Sequence, residues 1–74
     1  MSTYHRRTYL VPPEHEDAFT AELWWRGILG CEIREEGERL RLDAYLPDPL
    51  PRAFASWSLE EWTSRGVEAE AEES

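Results

Sequence analysis

An α+β fold of element order β-α-β-β-α-β is predicted by three observations on this 74-residue chain. Residues 30–48 alternate apolar and polar positions on both sides of a short glycine-bearing turn, which is the pattern of a hairpin with one wet face. Residues 12–27 place apolar side chains at helical spacing between a proline start and a glycine stop. Short strand-like runs, residues 3–11 and 67–72, lie near the two ends.

The first run, TYHRRTYLV, is rich in Thr, Tyr and Val and is stopped by Pro12-Pro13. Its faces are Tyr4, Arg6, Thr8 and Leu10 on one side, and His5, Arg7, Tyr9 and Val11 on the other; Tyr9 and Val11 are assigned inward. In PPEHEDAFTAELWWRG, Pro13 suits the first helical turn, where its missing N–H costs nothing. Glu14, Glu16 and Asp17 complement the positive helix start and Arg26 the negative end. Gly27 supplies the left-handed residue that closes a helix. Phe19 and Leu23, four apart, mark the core stripe; Ala18, Ala21 and Trp25 form a second side, with Trp24 between. Adjacent helical residues point about 100° apart, so at least one of Trp24 and Trp25 is expected in solvent.

In the hairpin, Cys31 and Ile33 alternate with Glu32 and Arg34, and a turn is placed over Glu35-Glu36-Gly37. Leu40, Leu42, Ala44 and Leu46 then alternate with Arg39, Arg41, Asp43 and Tyr45. A second helix is expected over about residues 50–64, stopped by Gly66, with Leu50, Phe54 and Trp57 on one stripe. The capping-box pattern Ser58-x-x-Glu61 offers a later start, with Trp57 and Trp62 at staple positions. Finally, Val67, Ala69 and Ala71 alternate with Glu68, Glu70 and Glu72.

This order is that of a ferredoxin-like βαββαβ sandwich, one domain over residues 1–74, with a four-stranded antiparallel sheet and both helices on one face. The usual strand order, fourth-first-third-second, puts Glu68, Glu70, Glu72 and Glu32 on edge strands. The central strands then carry Arg39, Arg41 and either Arg6 or Arg7. Acid and base therefore interleave across the open face.

A domain of this size buries only about 60% of the surface its unfolded chain exposes, so it needs a dense core. Nine aromatic residues, four of them Trp, supply one. The net charge is −8, and all eight basic residues are arginine. That balance argues against direct nucleic-acid binding; it either suits a basic protein partner or serves only to keep the domain soluble. No run reaches the roughly 20 apolar residues of a membrane span, and no signal peptide is evident, so a cytoplasmic chain with no membrane contact is expected.

Cys31 alone cannot form an internal disulfide or a cysteine-based zinc site, and beside Ile33 it reads as a small core residue. The Glu14-His15-Glu16-Asp17 cluster lacks convergent metal-ligand spacing, and helix-start electrostatics account for it. His5, His15 and Cys31 carry no nucleophile–base signature. The Gly27-Ile28-Leu29-Gly30 stretch has the outline of a phosphate-clamping GXXG loop, but it is apolar and set in a negative chain. No glycine-rich nucleotide fingerprint occurs, so no cofactor is expected.

LWWRGILGCEIREEGERLRLDAYLPD resembles the pattern Leu-Trp-x-x-Gly-x-x-Gly-apolar, followed by Ala-Tyr-apolar-Pro, found near the start of the methyltransferase of large-subunit ribosomal protein eleven. Leu23, Trp24, Gly27, Gly30, Ala44, Tyr45 and Pro47 fall on it. The preceding VPPEHEDAFTAEL resembles that family's strand-to-helix entry, and Glu22 and Arg26 depart from its apolar helix positions. The resemblance implies a ferredoxin-like domain that recognises the ribosomal protein and presents it to a separate S-adenosylmethionine-dependent domain. Nothing in these 74 residues matches that family's linker helix, Rossmann domain or cofactor motif, so no catalytic or cofactor residue is carried over. A non-catalytic, monomeric recognition domain is expected. Its candidate contact residues are Trp25 on the helix flank and Arg41 and Tyr45 on the open sheet face. The alternative is a free-standing ferredoxin-like regulatory module that binds a small ligand or dimerises through its sheet.

Overall fold

A computed structural model describes residues 4–70. Strand β1 (Tyr4–Val11) leads through a 3-10 turn (Pro13–His15) into helix α1 (Glu16–Trp25). Strands β2 (Gly30–Glu36) and β3 (Arg39–Pro47) form the hairpin, two one-turn helices follow, α2 (Arg52–Ala55) and α3 (Glu60–Thr63), and β4 (Glu68–Ala69) returns to the sheet. The order is β2-β3-β1-β4, every pair antiparallel, which is the ferredoxin-like arrangement expected from the sequence. Thr3, Ala71 and Glu72, also assigned to strands above, lie outside the described residues.

The inner face follows from alternation. Tyr9 and Val11 on β1 and Leu42, Ala44 and Leu46 on β3 are buried beneath Phe19 and Leu23 of α1, Phe54 of α2, Trp62 of α3 and Val67. The two longest strands pair along their full length, Tyr9 against Leu42 and Val11 against Leu40, so the core lies under the centre of the sheet. Phe19 is its hub: its ring meets Tyr9 and Trp62 edge-on at 5.1 Å and lies tilted 5.8 Å from Trp57.

The last strand is shorter than the alternation over residues 67–72 predicts: β4 is Glu68–Ala69, and Val67 and Glu70 lie just outside it. Two further details differ from the sequence reading. The hairpin turn falls at Gly37-Glu38, because Glu35 and Glu36 continue β2 and Glu36 pairs with Arg39. Gly37 has φ +65° and no non-glycine among the described residues has positive φ, so the first central residue alone is left-handed, the signature of a type II′ turn. The second helix is also broken, into α2 and α3. On a continuous helix Leu59 would point about 140° from Phe54. Breaking the helix over residues 56–59 lets Phe54, Trp57, Leu59 and Trp62 all pack against the core. Ser58 still acts at the later start, its hydroxyl accepting from the Glu60 N–H at 3.3 Å.

Helix α1 ends as its sequence dictates. Gly27 takes φ +101°, and its N–H donates to the Trp24 carbonyl. A Cβ at Gly27 would lie 2.9 Å from Pro51 Cγ, so this glycine also lets the α1 terminus close onto the segment before α2.

Candidate protein-binding site

Both tryptophans of α1 face solvent. With Phe19 and Leu23 pointing inward, Trp24 and Trp25 fall on different flanks of α1, and they are 50% and 74% exposed. The helical spacing required at least one of them in solvent, and both are there because the buried stripe of α1 consists of Phe19 and Leu23. Arg26 takes the remaining space at the helix end. Its guanidinium stacks 4.8 Å from the Trp57 ring and 5.3 Å from the Trp25 ring. Its Nε donates to Glu22 Oε2 at 2.8 Å, and a terminal nitrogen donates to the Ala53 carbonyl. The charged residues at 22 and 26 thus tie α1 to α2, holding the backbone beneath Trp25.

The chain path brings other exposed apolar groups to the same end. Helix α1 runs antiparallel to β1, and the Leu29 N–H donates to the Tyr45 carbonyl at 2.7 Å, so the α1 terminus sits beside the start of β2 and the end of β3. There Leu29 is exposed, and Tyr4, also exposed, packs edge-on against Tyr45 at 5.7 Å. Among the described residues, four of the five large apolar residues left in solvent, Tyr4, Trp24, Trp25 and Leu29, lie at this end; the fifth, Ile33, is on β2.

The structure places the three candidate residues in two locations. Trp25 is on the helix layer. Arg41 and Tyr45 share the open sheet face, where Tyr45 Oη donates to Glu32 at 2.8 Å. This bond, helped by partial burial and by the charges of Glu32 and Asp43, raises the Tyr45 pKa above that of a free phenol. Arg41 reaches Glu70 at 3.2 Å and Glu36 at 3.7 Å, and it borders Asp43. Arg39 pairs with Glu68 at 2.9 Å, and Arg34 lies 3.5 Å from Asp43. The interleaving of acid and base expected from the strand order is realised, and Arg41 is engaged within it.

At the centre of that network is a residue the alternation assigns only to the wet face. Asp43 is buried although it sits on the open face, accepting from the Thr8 hydroxyl opposite it and flanked by Arg34 and Arg41. A buried carboxylate is tolerable only when bonded and paired, and here the flanking strands supply both. The register pairing Thr8 with Asp43 was the signal that could have found it.

Cys31 is partly buried, and its thiol pKa is raised by burial and by the Glu16 charge, which disfavours the reactive thiolate. Among the described residues no three His, Cys, Asp or Glu side chains gather as metal ligands, and no helix is long and apolar enough to cross a membrane. A cavity of about 260 Å³ opens between the β1–β4 edge and the α2–α3 segment, walled by Tyr9, Phe54, Trp57 and Leu59 with Arg7 and Glu70 on its polar side. No protein-family model, curated protein or solved structure matches the chain.

Proposed function

We propose that this chain is a non-catalytic recognition domain for a basic protein, of the kind its resemblance implies: a large-subunit ribosomal protein handled by a methyltransferase in the cytoplasm. The observation that carries the reading is the exposed pair of tryptophans on α1, Trp24 and Trp25, with Leu29 also exposed just past the helix end. Large aromatic side chains left in solvent on a rigid element are the usual anchors of protein interfaces. The net charge of −8 supplies the rest, because an acidic surface speeds encounter with a basic partner and disfavours phosphate backbones. No residue is assigned a catalytic or cofactor role.

The test is titration of the 74-residue chain with a basic large-subunit ribosomal protein at low and high salt. Trp25→Ala is expected to weaken binding by tenfold or more, and salt to weaken it further through slower association. Binding that is insensitive to both changes would defeat the proposal.

The cavity beneath β1 and β4 favours a second reading, a small-ligand regulatory module. Its apolar walls and mixed-charge side would suit a small amphipathic molecule. Thermal stabilisation by such a compound, without affinity for the basic protein, would select that reading.

A further inference from the structure

Strand β2 lies at the edge of the sheet, and the backbone pattern shows which of its groups are turned outward. The Glu70 N–H donates to the Thr8 carbonyl, so on β1 the backbone groups of Thr8 and Leu10 address β4 while those of Tyr9 and Val11 address β3. Alternation carried across β3 turns Arg39, Arg41, Asp43 and Tyr45 toward β2. On β2, Gly30, Glu32, Arg34 and Glu36 therefore bond to β3, and Cys31, Ile33 and Glu35 aim their N–H and C=O groups off the edge.

Within a single copy the side chains of this edge have partners on one flank only: Glu32 accepts from Tyr45 and Arg34 lies 3.5 Å from Asp43, both on β3. Glu32 sits directly opposite Asp43, and Arg34 directly opposite Arg41. Like charges in directly opposed cross-strand positions are unfavourable. On the helix side Ile33 remains 37% exposed.

We propose that β2 pairs with β2 of a second copy of this chain, antiparallel about a two-fold axis at Ile33, joining both sheets into one. This departs from the monomer expected from the sequence. In this register the whole of β2 overlaps: Gly30 faces the partner's Glu36, Cys31 faces the partner's Glu35, and Ile33 meets the partner's Ile33. Glu32 faces the partner's Arg34, and Arg34 the partner's Glu32. The three outward residues of each copy exchange backbone hydrogen bonds with one another. Glu32 and Arg34 fall in the non-hydrogen-bonded positions, where opposed side chains are closest. Each thereby gains an opposite charge on its outer side, in addition to its diagonal partner on β3 and set against the like charge directly opposite, and Ile33 is covered by its own copy. Shifting the axis to Glu32 sets Glu32 against itself. Shifting it to Arg34 sets Arg34 against itself and Glu32 against Glu36. Charges on an edge strand ordinarily deter pairing; this spacing makes them select one register.

Analytical ultracentrifugation of the full chain from micromolar to millimolar concentration tests the assignment. The wild type is expected to dimerise reversibly. Glu32→Arg and Arg34→Glu should each raise the dimer dissociation constant at least tenfold, since each leaves only one sign of charge at both positions. Both variants place opposite charges across β2 and β3, so they should fold, which circular dichroism checks. An equimolar mixture of the two should recover association as a heterodimer. A wild type that stays monomeric throughout, variants that dimerise like the wild type, or a mixture that stays monomeric would each overturn the proposal. None of these outcomes touches the Trp25 reading, which rests on the other layer of the domain.

Discussion

Replacing Phe19 with alanine removes the hub of the core, and its cost can be set against that of removing the far larger Trp25. Phe19 has no exposed surface, and three rings pack on it, those of Tyr9, Trp57 and Trp62. Phenylalanine-to-alanine changes in cores cost about 3–5 kcal/mol, and the lost edge-on pairs push this case toward the upper end. A domain of this length is held by roughly 4–11 kcal/mol in all, so Phe19→Ala should leave it marginal or unfolded. Trp25 is 74% exposed, and its resolved stacking contact is the Arg26 guanidinium at 5.3 Å. An exposed cation–π contact contributes about 0.5–1 kcal/mol, so Trp25→Ala should cost about 1 kcal/mol or less. Urea melts followed by far-UV circular dichroism give both values without relying on tryptophan emission. Equal costs would refute the reasoning, because Trp25 would then be part of the core and unsuited to anchor a partner.

Burial pushes the Tyr9 hydroxyl up to about 12. The folded state thus holds its proton where the unfolded state releases it, and the resulting stability is complete below pH 10 and lost as pH rises through about 12. Roughly 2–3 kcal/mol should disappear across that window in the wild type, and Tyr9→Phe should flatten the decline in pH-dependent melts; equal slopes would disprove the assignment. Gly27 and Gly37 both have positive φ, but only at Gly27 would a Cβ meet a neighbour, Pro51 Cγ at 2.9 Å. Gly37→Ala should therefore cost about 1 kcal/mol and Gly27→Ala clearly more; equal thermal shifts would show that Pro51 yields freely.

The elements, the strand facings and the ferredoxin-like order were legible in the residues. Alternation at Leu40, Leu42, Ala44 and Leu46 and the Phe19–Leu23 spacing are local periodicities, and a strand or helix with one apolar face has one way to bury it. The proline start and glycine stop of α1 were legible for the same reason, since Pro13 and Gly27 act through their own backbone. What the tertiary structure alone decided depends on which residues become neighbours across elements. The second helix breaks because four apolar residues over 54–62 must reach one core, a demand that helical spacing cannot express. Trp24 turns to solvent because of where α1 sits on the sheet, and Arg26 fills its position by reaching Trp57 and Ala53, both distant in sequence. Asp43 is buried only once β1 and β2 flank β3 and bring Thr8 and Arg34 beside it. A polar residue's place in the sequence shows which face it takes, but its neighbours' register determines whether that face is water or a network of partners.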